Sequence, residues 1–187
     1  MAVGRTADIV PCCHGYWSEE GRRCRCLGKI QKTLFAIDKP NGIFLQGLGP
    51  IGLCVPKWAL LKGASRVIGI DKVPYRLAQA EEIGADAIDF TIYKDVPKRI
   101  KELVPDGLDA AIDAATFHEP KTVIHKISKA LLLETDVSET LNETFLAVKK
   151  MGRVGIIAAY AGYTNGLNIG AVMEKGIRLI GNGQGEP

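Results

Sequence analysis

A short apolar run, Ile43-Phe44-Leu45, stops at a loop that reads Gly47-Leu48-Gly49-Pro50-Ile51-Gly52, and an apolar segment from Ile51 to Leu61 follows. A second apolar run, Arg66-Val67-Ile68-Gly69-Ile70, ends on Asp71. Strand, glycine loop, helix, strand, acid is the order that most restricts what this chain can fold into. Gly47 lets the chain turn as it leaves the strand. Gly49 has no side chain, so a pyrophosphate can approach the backbone. Gly52 lets the helix pack closely. The helix start offers unpaired N–H groups and a partial positive charge, which suit a phosphate. Asp71 lies 24 residues beyond Gly47, near the usual spacing of about 20, where a carboxylate accepts hydrogen bonds from an adenosine ribose. A dinucleotide is the ligand this arrangement suits best. Another nucleoside ligand, or a bare tight turn, are the alternatives.

The 187 residues make one domain with room for an appendage. Apolar residues make up 47% and charged residues 24%, as in globular proteins that fold in water. No apolar run reaches the roughly 18 residues of a membrane span. The first eight residues lack the apolar core of a secretory signal, so a cytoplasmic location is expected. The net charge of +3 is unevenly placed: residues 1–41 hold seven Lys/Arg and four Asp/Glu, and the remainder is balanced. The globular part therefore carries no basic field suited to nucleic acid. Arg22, Arg23 and Arg25 read as part of a solvated tail.

Residues 1–41 read as an irregular N-terminal extension. Cys12, Cys13, Cys24 and Cys26 cluster there beside His14. An adjacent pair and a one-apart pair lack the Cys-x2-4-Cys spacing that points two sulfurs at one ion, so no metal is expected. Disulfides are not expected either in a reducing compartment. Lys39-Pro40-Asn41-Gly42 is a turn signal that closes the segment.

Residues 42–187 alternate apolar strands with amphipathic helices. The pattern places helices over Pro50–Lys62, Pro74–Ile83, Val96–Val104, Pro120–Leu133, Ser138–Lys150 and Ile169–Glu174. It places strands over Arg66–Asp71, Ala87–Phe90, Leu108–Asp113, Arg153–Ala158 and Ile177–Ile180. Asp136 and Glu139 suggest a capping box, and Gly152 a helix stop. Cys54 reads as a small core residue. Pro56 is expected to interrupt the first helix at a cost of about 3 kcal/mol. The fold predicted is an α/β, Rossmann-type doubly wound parallel sheet of six strands with helices on both faces. Its ligand crevice lies at the carboxyl ends of the strands, at Gly47–Gly52, Asp71, Asp113–Ala115 and Ala158–Tyr160.

These residues resemble a known family. The runs Gly47-Leu-Gly-Pro-Ile-Gly-Leu, Lys57 through Asp71, Arg76-Leu-Ala, Ile83-Gly-Ala-Asp86, Met151 through Gly162 and Met173 through Gln184 are similar to the C-terminal, cofactor-binding half of zinc-type medium-chain alcohol dehydrogenases. Within that family they resemble the glutathione-dependent formaldehyde dehydrogenase-like branch. The resemblance implies NAD as cofactor. Gly47, Gly49, Pro50, Ile51 and Gly52 would lie at the pyrophosphate, Asp71 at the adenosine ribose, and Lys72 and Arg76 at its rim. Ala158, Ala159 and Tyr160 would lie near the nicotinamide. It further implies a homodimer through the edge strand near Ile177–Gly181. In the family a separate domain supplies Cys, His and Glu ligands to a catalytic zinc, and a four-cysteine lobe holds a structural zinc. Neither set matches here, and His118 and His125 read as structural. The resemblance thus implies a cofactor-binding fragment, without catalytic residues of its own, that binds NAD but does not oxidise alcohols unaided. A non-catalytic NAD-binding or dimerisation module is one alternative. An S-adenosylmethionine methyltransferase is another, since it too places a glycine loop after its first strand and has a use for Lys149-Lys150-Met151-Gly152-Arg153-Val154.

Overall fold

The computed structural model describes residues 40–115, 136–160 and 162–181. The cysteine-bearing extension, the helix expected over Pro120–Leu133, and His118 and His125 lie outside the described residues.

Six strands form one sheet: β1 (Ile43–Gln46), β2 (Val67–Asp71), β3 (Asp86–Asp89), β4 (Leu108–Asp113), β6 (Val148–Ile156) and β8 (Arg178–Gly181). Their spatial order is β3-β2-β1-β4-β6-β8, and every pairing is parallel. This is the doubly wound sheet expected from the sequence. The strand order reverses between β1 and β4, and such a reversal opens a crevice at the carboxyl ends of the strands.

Side-chain alternation on the strands builds two cores. Ile43 and Leu45 of β1 and Ala110 and Ile112 of β4 pack with Cys54, Val55 and Ala59 of α1 (Cys54–Leu61) and with Ala80 of α2 (Pro74–Ile83). Phe44, Ile68, Ile70 and Ala111 face the other way. They meet Ile100 of α3 (Val96–Leu103), Leu141 and Phe145 of α4 (Glu139–Ala147), and Ala171 of α5 (Ile169–Lys175). Burying each large side chain contributes about 1.5–3 kcal/mol.

Local chemistry explains the helix ends that match expectation. Pro74 opens α2 at its first position, and Gly84 closes it in the left-handed region. The Asp95 side chain accepts the Lys98 amide at 3.0 Å and caps α3.

Three expectations are corrected. The first helix does not begin at Pro50. Residues 51–53 form turns, and the regular helix starts at Cys54. Pro56 is then its third residue, where a missing N–H leaves no ladder bond unmade. The Gly52 carbonyl, which an N–H at position 56 would have reached, is taken by the Val55 amide at 3.0 Å. Pro56 is buried in the core and is not a mid-helix break.

The second correction concerns α4. It ends at Ala147, and the strand that follows starts at Val148, not Arg153. The Lys175 ammonium donates to the carbonyls of Phe145, Leu146 and Val148 at 2.8–2.9 Å, so a side chain about 30 residues away caps this helix. Leu108 pairs with Val148 and Ala110 with Arg153, so a step of two residues on β4 faces a step of five on the next strand, a bulge in which Met151 takes φ +62°. Gly152 belongs to this bulge: a Cβ there would lie 2.1 Å from Val148 Cγ1.

The third correction is the capping box. Asp136 lies in β5 (Asp136–Val137), which pairs with β7 (Thr164–Asn165) in a small second sheet. Its carboxylate accepts the Gly162 amide at 2.8 Å. The residue at the start of α4 is Ser138, whose hydroxyl donates to Asn165 O at 2.6 Å and makes no cap bond. No helix of the described residues is long and apolar enough to cross a membrane.

Candidate dinucleotide site

The three glycines of the loop are there for different reasons. Gly47 takes φ +88°, and a Cβ on it would sit 2.8 Å from the Ala115 Cα. It therefore lets the ends of β1 and β4 touch, backbone to backbone. A Cβ on Gly52 would lie 2.0 Å from the Gly47 carbonyl oxygen, so the turn that leads into α1 packs directly on the start of the loop. Gly49 is different. A Cβ there would meet nothing within 4 Å, and its φ is not positive. Neither packing nor backbone geometry calls for glycine at this position. The space it leaves faces outward and fits a ligand group that must approach the backbone closely. Among the described residues, the amides of Gly49, Ile51 and Gly52 donate to no protein acceptor. Amides of this kind, at the start of a helix, are what a pyrophosphate binds.

Leu48, inside the loop, is fully buried. It packs on Gly69 of β2, where a Cβ would lie 2.7 Å from Leu48 Cδ2. The sequence reading gave neither residue a role, although a glycine inside a strand signals such a close approach.

Asp71 ends β2 and is 7% exposed. Its Oδ2 accepts the Leu48 amide at 2.8 Å, and its Oδ1 accepts the amides of Lys72 at 2.7 Å and Val73 at 3.1 Å. Arg76 Nη1 reaches Oδ2 at 3.4 Å. The sequence suggests a carboxylate free to take both ribose hydroxyls. The structure instead shows one whose roughly four acceptor sites all have donors. The longest contact is to Arg76, whose side chain is about one-third exposed, so Arg76 is the donor a ribose hydroxyl would exchange with. The Tyr75 hydroxyl does most to hold the Arg76 guanidinium above its ordinary pKa; burial opposes it, and the Asp71 charge adds to it. The Lys72 side chain is exposed, Pro50 is exposed and Ile51 is half-buried. The glycine loop and Asp71 are thus brought together, with Lys72 and Arg76 at the rim.

Across the strand reversal, Asp113 ends β4 and is fully buried. Its carbonyl accepts the amides of Ile157 at 2.8 Å and Ala158 at 2.9 Å, just after β6. Its Oδ2 accepts the Tyr160 hydroxyl at 2.6 Å, and its Oδ1 accepts the Ala115 amide at 3.2 Å. Burial, and then the Asp113 charge, raise the Tyr160 pKa well above its ordinary value, so the phenol stays a neutral donor. Ala158 is half-buried and Ala159 exposed between these anchors. The sequence locates these residues at the strand ends but not the bond between Asp113 and Tyr160.

Among the described residues, no three His, Cys, Asp or Glu side chains converge to hold a metal ion. These residues do not fit a zinc site.

Residues 50–130 match the family profile described as zinc-binding dehydrogenase. Over 148 residues the chain is 42% identical to a zinc-type alcohol dehydrogenase-like protein of Schizosaccharomyces pombe, a match covering 79% of this chain and 35% of that protein. The chain spans little more than a third of the length of the curated relatives it matches first. The fold superposes on alcohol dehydrogenase TADH from Thermus sp. ATN1 with a TM-score of 0.66 at 19% identity, covering 84% of this chain and 39% of that one. It also superposes on a protein assigned as a zinc-binding dehydrogenase from Sinorhizobium meliloti, solved bound to NADP, with a TM-score of 0.63 at 22% identity, covering 84% and 41%. In sequence, this chain is thus similar to zinc-type alcohol dehydrogenase-like proteins over 79% of its length, and it shares the fold of solved alcohol dehydrogenases.

Proposed function

We propose that this domain binds NAD across the carboxyl ends of β1, β2, β4 and β6, as the cofactor half of an oxidoreductase acting on an alcohol or carbonyl substrate. The observation that carries the reading is Gly49, a glycine that no contact within the protein requires, beside three unpaired amides. When bound, NAD supplies the hydride acceptor. The amides of Gly49, Ile51 and Gly52 would hold the pyrophosphate, with Gly47 shaping the turn beneath it and Pro50 and Ile51 flanking it. Asp71 would accept from the adenosine ribose, with Lys72 and Arg76 at its edge. Its negative charge disfavours a 2′-phosphate, so NAD is preferred over NADP. Ala158 and Ala159 present small side chains where the second nucleoside would lie. Asp71 and Asp113 stand on either side of the strand reversal, so the two halves of a dinucleotide have separate floors.

No step is assigned to zinc, because the described residues do not fit it. The finer assignment to the glutathione-dependent formaldehyde dehydrogenase-like branch rests on the sequence runs after Met151 and Met173. Supplying a relative's catalytic domain in trans and comparing a hydroxymethyl-thiol adduct with simple alcohols tests it. A homodimer through β8 is the partner we propose. Among the described residues that strand is one of the two sheet edges, with Leu179 41% exposed. A cytosolic location goes with this reading and is checked by imaging a tagged chain.

Thermal-shift titration of the full chain against NAD, NADP and S-adenosylmethionine separates the main readings. NAD is expected to raise Tm most. A larger shift with S-adenosylmethionine would replace the dehydrogenase reading with the methyltransferase one. Size-exclusion with and without NAD tests the dimer.

A further inference from the structure

The Asp113–Tyr160 pair does more than floor one half of the crevice: it ties three loops to one buried residue, Asp113. Asp113 receives two backbone amides from the end of β6, one from its own following loop, and the Tyr160 phenol. Its neighbours reach the third loop. The Ala114 amide donates to Gln46 O at 2.9 Å, and Ala115 is the residue against which Gly47 must lack a Cβ. A shift of the segment 157–160 would therefore be transmitted through Asp113 to the glycine loop. The chain from Ala158 to Tyr160 is fastened at both ends, by the Ala158 amide and by the Tyr160 hydroxyl. Ala159, which is exposed, lies between the fasteners, and Ala158, which carries the first of them, is half-buried.

We infer that Tyr160, acting through Asp113, is a positioning residue that fixes the segment Ala158–Ala159 as the wall for the nicotinamide half of the cofactor. The inference rests on the NAD reading and deepens it. The hydrogen bond from the half-buried Tyr160 phenol to a carboxylate is charge-assisted, which makes it a stronger tie than a neutral contact. Fixing the wall in advance removes the ordering cost of binding at that half of the site only. The adenosine half has its own floor in Asp71 and the glycine loop, whereas the Tyr160 hydroxyl bonds to Asp113 across the strand reversal.

The two halves can be titrated separately. Calorimetry on the full chain would compare NAD with ADP-ribose, which lacks the nicotinamide, for the wild type, Tyr160→Phe and Asp113→Asn. Tyr160→Phe is expected to leave ADP-ribose affinity within about twofold and to weaken NAD by about tenfold, the scale of one charge-assisted hydrogen bond. Asp113→Asn keeps an acceptor for the phenol and is expected to retain more NAD affinity than Tyr160→Phe. Equal losses for both ligands in Tyr160→Phe would mean a structural role and overturn the inference. So would an unchanged ratio of the two affinities. If the wild type binds neither ligand, the NAD reading itself fails, and this outcome is distinct from the other two.

Discussion

At the ends of β1 and β2 the crevice is shaped by absent atoms, whereas at the ends of β4 and β6 it is shaped by present ones. On the first side, three missing Cβ atoms let a loop fold onto a strand end, a helix start and open space. Asp71 then fastens the loop through the Leu48 amide. On the second side, a buried carboxylate and a phenol fasten two loops, and the residues between them are merely small. Glycines at fixed spacing are a local pattern. A hydrogen bond between residues 47 positions apart is not. The first side can be read from a string of letters, and the second needs the fold.

The largest effect that would break this contrast is on the first side. Gly52→Ala puts a methyl group against a backbone carbonyl that cannot rotate away. A loss of about 3 kcal/mol or more is expected on chemical denaturation. A stability within about 0.5 kcal/mol of wild type would show that the loop is not packed as described. Asp71→Ala comes next. It leaves the buried Leu48 amide without its acceptor, which costs on the order of 1–3 kcal/mol, and it removes the ribose partner as well. Denaturation and NAD titration should both register it. A change in affinity alone would mean that the Leu48 bond matters little.

Pro56→Ala sharpens the account at smaller scale. A proline that broke the helix interior would, once replaced, return about 3 kcal/mol. A proline in the first turn should change stability by no more than about 1 kcal/mol, and in either direction. A large gain would restore the reading of Pro56 as damage.

The smallest effect belongs to the second side. The Tyr160 phenol is held neutral by burial and Asp113, so its folded pKa lies above its unfolded value near 10. Its contribution is fully present below about pH 10 and is lost as pH rises beyond that, because the unfolded state then releases the proton first. Wild-type stability should fall more steeply above about pH 10 than that of Tyr160→Phe. Parallel curves would mean that the phenol is not buried against Asp113.

Much of the fold was legible because its boundaries are local. Pro74 and Gly84 bracket α2, Asp113 ends β4, and strand–helix alternation dictates a parallel sheet. The misread boundaries have distant causes. The end of α4 is set by Lys175, which no helical periodicity near Ala147 encodes. Asp136 looks like half of a capping box, but its place is set by pairing with Thr164, 28 residues on. At the candidate site, spacing singles out Gly47, Gly49, Gly52 and Asp71, and the end of a strand singles out Ala158 and Ala159, while only the family resemblance implies a nicotinamide beside them. The full occupancy of the Asp71 carboxylate depends on Leu48 and Arg76 converging on it in space.

The measurement that tests the central claim most directly is a calorimetric titration of NAD into the full chain and into Gly49→Ala, with Tm recorded for both. The open position of Gly49 predicts equal Tm values and an NAD affinity at least about tenfold weaker in the variant, because the added methyl group fills ligand space and not protein space. Equal affinity in the two proteins, or no NAD binding by the wild type, would contradict the assignment of this loop to a dinucleotide.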